Sequence, residues 1–175
     1  MYEDYLKDSN YFALEARKKT NEQERKRYYR VSVFCAWSAI EAFVNYIGDT
    51  LGRGDFERYE IAFITDKRFG VCGGKFDILD QSEYHKLEDK LKFLIYKFCP
   101  TFNFEKILCW SQLLEFKKFR DSLTHPRKDE DETDVGEYER RIKTGLSSII
   151  AVMDHLCQGI FKEPLRRQVK DLSLQ

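Results

Sequence analysis

The segment YYRVSVFCAWSAIEAFVNYIGDTL, residues 28–51, decides the fold because its apolar residues recur every three or four positions. Counted from Tyr29, these residues are Val33, Ala36, Ile40, Phe43, Ile47 and Leu51. This spacing places them on one face of an α-helix. We therefore predict a core helix that ends at Gly48 or Gly52. The preceding residues 11–27 are also rich in helix formers, so the two segments form either one long helix or a bent pair.

The overall composition is that of one folded domain with no net charge. The chain has 175 residues, with 30 Lys and Arg against 30 Asp and Glu. With about 150 residues per domain as the guide, residues 1–175 form a single domain. The neutral balance gives no long-range attraction to nucleic acid or to an anionic membrane, so any RNA binding must come from a local patch. The hydrophobic share of 42% excludes a disordered chain.

The cysteine spacing and the lengths of the apolar segments favour a location in the cytoplasm. The five Cys include no CxxC pair and have no His at ligand spacing, so we expect no disulfide framework, no metal and no cofactor. The start MYEDYLKDSN lacks the apolar region of a secretory signal. Residues 31–47 are interrupted by polar side chains and are shorter than the roughly 20 residues of a spanning helix. We therefore expect a cytoplasmic protein with no membrane partner.

Three further helices follow from the same apolar periodicity. The second core helix is predicted to start after Asp80, which has capping-box spacing to Glu83. The three helices run from Asp80 to Cys99, from Asn103 to His125, and from a cap at Asp134 to Pro164. Four core helices of this length predict an all-α fold, an antiparallel helical bundle.

Residues 52–81 interrupt this pattern between the first and second core helices. Their scattered glycines show no sustained period, which predicts a long loop or a small insertion. Such a segment is either a functional lid or partner surface, or a packed excursion without chemistry. The pair Gly73-Gly74 before Lys75 lacks the spacing of a phosphate-binding loop.

The third helix carries an unusual charge. Arg120 lies four residues after Phe116 and three before Leu123, so it falls on the apolar face of the helix. A guanidinium in that position needs a carboxylate, a set of carbonyls or an anionic ligand. His125 follows at the helix C-terminus, before Pro126, where the helix dipole favours the imidazolium by about 0.3–1 kcal/mol. Such a His exchanges protons near neutral pH.

The segment FRDSLTHP, residues 119–126, resembles the signature of the HEPN superfamily, the all-helical domain of many prokaryotic toxin and defence ribonucleases. Residues 38–47 resemble the first core helix of that family, and the resemblance covers most of the chain outside 52–81. It implies that Arg120 and His125 are the catalytic pair and that Asp121 supports them. It also implies a homodimer in which two protomers bring their motifs together.

The function that this resemblance implies is metal-independent cleavage of RNA. Attack by the 2′-OH needs a base, an acid for the 5′-oxygen and a cation for the phosphorane charge, and His125 and Arg120 supply those groups. A toxin or phage-defence role, with an antitoxin or nucleotidyltransferase partner, belongs to this hypothesis. Two departures are present: Asp121 stands where Asn is frequent, and Arg127 stands where one toxin subgroup has a modified Tyr.

Two other functions remain open. The chain is either a catalytically inactive HEPN-like module that binds RNA, a nucleotide or a protein partner, or a plain helical interaction protein. RNA phosphates are expected to contact the basic residues that flank the motif, namely Lys117, Lys118, Arg127 and Lys128. Glu41 either faces solvent with Ser38 and Asn45 or pairs with Arg120 and supports the site.

Overall fold

The computed structural model describes residues 1–51, 54, 56–125 and 133–172. Those residues form seven helices and one two-stranded antiparallel hairpin. In chain order the elements are α1 (Tyr2–Lys18), α2 (Glu22–Leu51), α3 (Arg58–Ile64), β1 (Lys67–Cys72), β2 (Lys75–Ser82), α4 (Leu87–Phe98), α5 (Leu108–Thr124), α6 (Val135–Phe161) and α7 (Arg167–Lys170). The protein is mostly helical, as the sequence predicts, and the hairpin is the departure from an all-α fold.

Helix α2 is the central element that the sequence identified. Its predicted apolar face is buried from Val33 to Ile47, and it ends at Leu51, directly before Gly52. Among the described residues it is the one helix long and apolar enough to cross a membrane by length and composition, and 56% of that window is buried inside the protein. In this structure α2 packs as a core helix against α1, α5 and α6.

Helix α1 is a separate core helix that packs along α2. The helical conformation is interrupted between Lys18 and Glu22. Of the two alternatives, one long helix or a bent pair, the structure therefore has two helices. The Tyr2 ring meets the Phe43 ring at 5.2 Å, and the Ser9 and Ser32 hydroxyls lie 3.1 Å apart. These pairs make α1 and α2 antiparallel. The bundle therefore contains five long helices and not the four predicted.

The helix directions also differ from a simple antiparallel bundle. The Tyr29 ring in the first half of α2 stacks on Tyr138 near the start of α6, at 5.9 Å. At the other end, the Tyr46 ring lies 6.4 Å from Phe161. Helices α2 and α6 thus run in the same direction, whereas the first and fourth helices of an up-and-down bundle run in opposite directions. The segment between α2 and α4 takes the chain back along the bundle, so that α4 does not simply reverse the direction of α2.

The described residues of the segment 52–81 form a structured insertion, so of the two alternatives, a long loop or a small insertion, the structure has the second. It contributes α3 and both strands of the hairpin. Gly73 and Gly74 connect Cys72 to Lys75, and their φ values of 58° and 79° match the two-residue turn that suits the twist of a hairpin. Neither strand has a buried residue, so no core-facing side requires a sustained period in the sequence.

Two predicted helix starts are too early. Asp80 lies within β2, so it caps no helix, and α4 begins at Leu87. The Asn103 side chain accepts the backbone N–H of Lys106 at 3.1 Å and closes a short turn. Helix α5 consequently begins at Leu108, five residues later than predicted.

The predicted ends of α4, α5 and α6 and the start of α6 are confirmed to within a few residues. Helix α4 ends one residue before Cys99, and His125 is the C-terminal cap of α5. The Asp134 side chain accepts the backbone N–H of Glu137 at 2.9 Å, which is the predicted cap of α6. Helix α6 then runs to Phe161, three residues before Pro164.

Helices α5 and α6 approach each other closely at a glycine. A Cβ atom on Gly145 of α6 would lie 2.1 Å from the Phe116 ring of α5. Phe116 is almost fully buried, so its ring has little room to move. The absence of a side chain at Gly145 therefore sets the distance between α5 and α6.

We predict that Gly145→Ala lowers the free energy of unfolding by about 1–3 kcal/mol, because the added methyl overpacks the core. The matched control is Gly136→Ala in the same helix, where the nearest atom is a side-chain oxygen of Asp134 at 3.2 Å. The control should change stability by less than about 1 kcal/mol, because Ala favours the helix. Urea unfolding measures both variants, and equal losses would contradict the close approach.

Candidate functional site

Arg120 lies where α5 crosses α2. Its guanidinium carbon is 4.8 Å from the centroid of the Trp37 ring, a cation–π arrangement. The Trp37 indole N–H donates to Glu41 Oε1 at 2.8 Å, and Arg120 Nη2 lies 3.6 Å from the same oxygen. Of the two alternatives for Glu41, the structure therefore has the one in which it faces Arg120.

A chain of ionic contacts continues from Arg120 to α4. Arg120 Nη1 is 2.9 Å from Asp121 Oδ1, and Lys117 Nζ is 2.8 Å from Asp121 Oδ2. Lys117 also lies 3.3 Å from Glu88 in the first turn of α4. The hydrogen bond to Asp121 raises the pKa of the Lys117 ammonium above its usual value. Three helices thus meet in one ionic network.

The network carries an excess of negative charge. Its two cations, Arg120 and Lys117, face three carboxylates, which are Glu41, Asp121 and Glu88. A phosphate that enters here meets net repulsion unless a carboxylate moves away. Coulomb energy in bulk water is about 1 kcal/mol for unit charges at 4 Å, so each carboxylate changes anion affinity severalfold.

The guanidinium of Arg120 is only partly satisfied. Its side chain is 23% exposed, and its Nε–H is buried without a hydrogen-bond partner among the described residues. Leaving a buried donor unpaired costs about 1–3 kcal/mol. The Nε–H itself is out of reach of a ligand, so an incoming acceptor contacts the exposed part of the guanidinium.

The structure leaves His125 apart from this network. It caps α5, its backbone N–H donates to the carbonyl of Asp121 at 2.9 Å, and it is exposed. Its ring makes no hydrogen bond or ion pair within the described ranges. His125 follows Arg120 by five residues, so the two side chains point about 140° apart around the helix axis. A ligand that contacts both side chains therefore has to lie at the C-terminal end of α5.

The two flanking basic residues that the structure describes, Lys117 and Lys118, have different surroundings. Lys117 is engaged by Glu88 and Asp121, while Lys118 lines a groove between α5 and α6 with Arg140 and Arg141. Arg127 and Lys128 lie outside the described residues. Arg140 and Arg141 donate hydrogen bonds to Glu137, which lower the pKa of that carboxyl to about 2.

Sequence reasoning missed two members of the site, Trp37 and Glu88. Trp37 precedes Glu41 by four residues, the spacing at which two side chains meet on one helix face, and that spacing could have identified it. Glu88 meets Lys117 across two helices, and no local pattern encodes this contact. Within the described ranges, no three His, Cys, Asp or Glu side chains form a group able to hold a metal ion.

Comparison with known proteins gives no family for this chain. No protein-family model, curated protein or solved structure gave a significant match. The function is therefore argued from the residues and their geometry.

We predict that Arg120→Met changes the free energy of unfolding by less than about 1 kcal/mol. Methionine fills similar space over Trp37 and removes a guanidinium whose Nε–H is buried and unpaired. The carboxylates left behind, Glu41 and Asp121, are 45% and 37% exposed, so water solvates them at little cost. Urea unfolding provides the measurement.

The comparison variant is Arg120→Ala, which also removes the packing on Trp37. Its free energy of unfolding should fall by about 1–2 kcal/mol more than that of Arg120→Met. A loss above about 3 kcal/mol for Arg120→Met would contradict the prediction. Arg120 would then be a structural residue.

Proposed function

We propose that this protein is a metal-independent endoribonuclease of the HEPN type that acts as a homodimer. The observation that carries the proposal is the state of Arg120: its guanidinium is fixed over Trp37, its side chain is 23% exposed, and it lies five residues before an exposed His125. Such an arginine is preorganised to stabilise phosphorane charge. The four-helix HEPN core would comprise α2, α4, α5 and α6.

The chemistry needs both residues. His125 removes the proton from a 2′-OH, the 2′-oxygen attacks the adjacent phosphorus, and the bond from phosphorus to the 5′-oxygen breaks. A second acid protonates the departing 5′-oxygen, and the products carry a 2′,3′-cyclic phosphate and a 5′-OH. One histidine does not reach both sides of an in-line phosphate, so the partner protomer's motif supplies the second.

An RNA phosphate enters by displacing the weaker carboxylate. Glu41 is 45% exposed and its oxygen lies 3.6 Å from Arg120, whereas Asp121 lies at 2.9 Å. Exposed ion pairs of this length contribute about 0–1 kcal/mol, so a phosphate competes with Glu41. Asp121 remains and keeps the guanidinium in place. RNA contacts from Lys118, Arg127 and Lys128 belong to the same proposal.

A second candidate is a catalytically inactive module of the same type that binds RNA, a nucleotide or a protein partner. The excess negative charge around Arg120 favours it, because two carboxylates already neutralise the guanidinium. In that case Arg120 positions α2 against α5, and His125 has no chemical role. A toxin or phage-defence role in the cytoplasm, with an antitoxin partner, accompanies the first candidate.

The deciding experiment is cleavage of a mixed cellular RNA pool in EDTA by the wild type, Arg120→Met and His125→Ala. We expect both variants to lose at least about 100-fold in rate, because each removes a group that acts in the transition state. Products of the wild type should end in 2′,3′-cyclic phosphates. EDTA excludes metal-dependent contaminating nucleases.

The matched controls are Arg167→Met, at an arginine that is 93% exposed on α7, and His155→Ala, at an exposed histidine on α6. Both controls should cleave like the wild type. Equal cleavage by all five proteins, or none by any, would exclude the nuclease and favour the binding module. A strict monomer by light scattering at the assay concentration would contradict the shared site.

A further inference from the structure

A second site lies in the insertion. A pocket of about 470 Å³ opens between α3, β1 and the start of α4. Five rings line it, those of Tyr59, Phe63, Phe69, His85 and Phe93. Its volume lies in the range of small-molecule pockets, and so much apolar lining at the surface is characteristic of a binding site.

The rings meet at angles that suit a planar guest. Tyr59 and Phe69 form an edge-to-face pair at 6.2 Å, and Phe63 and Phe93 form another at 5.8 Å. In such a pair one ring keeps both faces clear of its partner. Tyr59 is also 57% exposed. The pocket therefore offers ring faces on which a flat ligand can stack.

The walls are fixed before any ligand arrives. The backbone carbonyl of Asp66 accepts the backbone N–H of Glu83 at 2.9 Å, and the Asp66 carboxylate accepts the backbone N–H of His85 at 2.8 Å. The same carboxylate holds the buried Lys90 ammonium at 2.6 Å. This anchor joins the insertion to α4, so binding requires little ordering of the chain.

Two polar groups at the rim define the ligand class. Lys67 offers hydrogen-bond donors, with Asp80 as a distant partner at 3.6 Å, and the exposed Glu83 side chain offers acceptors. The Glu83 carboxylate has no side-chain partner in the described part of the chain. Stacking faces with one donor and one acceptor group match the face and edge of a nucleobase.

Residues close together in sequence connect the pocket to the Arg120 network. His85 lies three residues before Glu88, a span of at most about 11 Å of chain. From Glu88 the ionic contacts pass through Lys117 and Asp121 to Arg120. A strand that places one base in the pocket and a phosphate at Arg120 follows the path of these contacts.

We propose that the insertion pocket binds an unstacked base of a single-stranded RNA whose phosphate lies at Arg120. This inference rests on the proposed function, because it assigns the pocket to the same RNA. A phenylalanine side chain of a protein partner would fill the rings but leave Lys67 and Glu83 unused, whereas the edge of a base offers both acceptors and donors. The pocket then selects where along an RNA the protein binds.

The test measures binding of a short 2′-O-methyl oligonucleotide, which lacks the attacking hydroxyl, by fluorescence anisotropy. A second oligonucleotide carries the same phosphates with abasic positions. Tyr59→Ala removes a stacking ring, and Tyr84→Ala is the matched control, because Tyr84 is 81% exposed and lies outside the pocket lining. Melting temperatures verify that both variants fold.

We expect Tyr59→Ala to weaken binding of the intact oligonucleotide about tenfold, which lies within the range measured for base stacking on an aromatic residue. Tyr84→Ala should change it less than twofold. The abasic oligonucleotide should bind the wild type and Tyr59→Ala equally. Equal losses for both tyrosine variants, or a Tyr59→Ala loss that persists with the abasic strand, would overturn the proposal.

The two proposals fail separately. Base-dependent binding through Tyr59 without cleavage by the wild type would remove the nuclease and retain the pocket. Cleavage by the wild type, with equal oligonucleotide binding by Tyr59→Ala and Tyr84→Ala, would retain the nuclease and remove the pocket. A wild type that binds neither oligonucleotide but binds an aromatic peptide would replace the base with a protein partner and overturn the pocket proposal.

Discussion

A guanidinium on the core-facing side of a helix requires counter-charges, and the site depends on how this requirement is met. Arg120 obtains Glu41 and the Trp37 ring from α2 and Asp121 from its own helix. Through Lys117 the network extends to α4, which in turn anchors the insertion. The candidate site is therefore built where three helices cross, and its geometry is a consequence of packing.

Much of this arrangement could be predicted from local patterns. The periodicity of α2 and the Asp134 cap of α6 are short-range features, and the structure has both. The position of Arg120 on the apolar face of α5 predicts that it needs a partner, and pairing with Arg120 is one of the two alternatives that the sequence leaves open for Glu41. Local patterns succeed here because burial and capping act within one or two helical turns.

The features that the sequence did not predict depend on contacts between residues that are distant along the chain. The start of α4 is set partly by Asp66 and Lys90, which are 24 residues apart, and no helix-capping pattern records that pair. Neither strand of the hairpin has a buried residue, so no core-facing side requires a sustained apolar alternation. The shared direction of α2 and α6 follows from the route of the insertion. Such features are tertiary, and they override local preferences at element ends.

The central claim is that Arg120 and His125 hold the same RNA phosphate. NMR titration with a non-cleavable 2′-O-methyl oligonucleotide tests it directly, because the buried Nε–H of Arg120 and the ring of His125 give separate resonances. The account predicts that both resonances shift together with one dissociation constant. Shifts elsewhere in the protein, with the Arg120 Nε–H and the His125 ring unchanged at saturation, would contradict it.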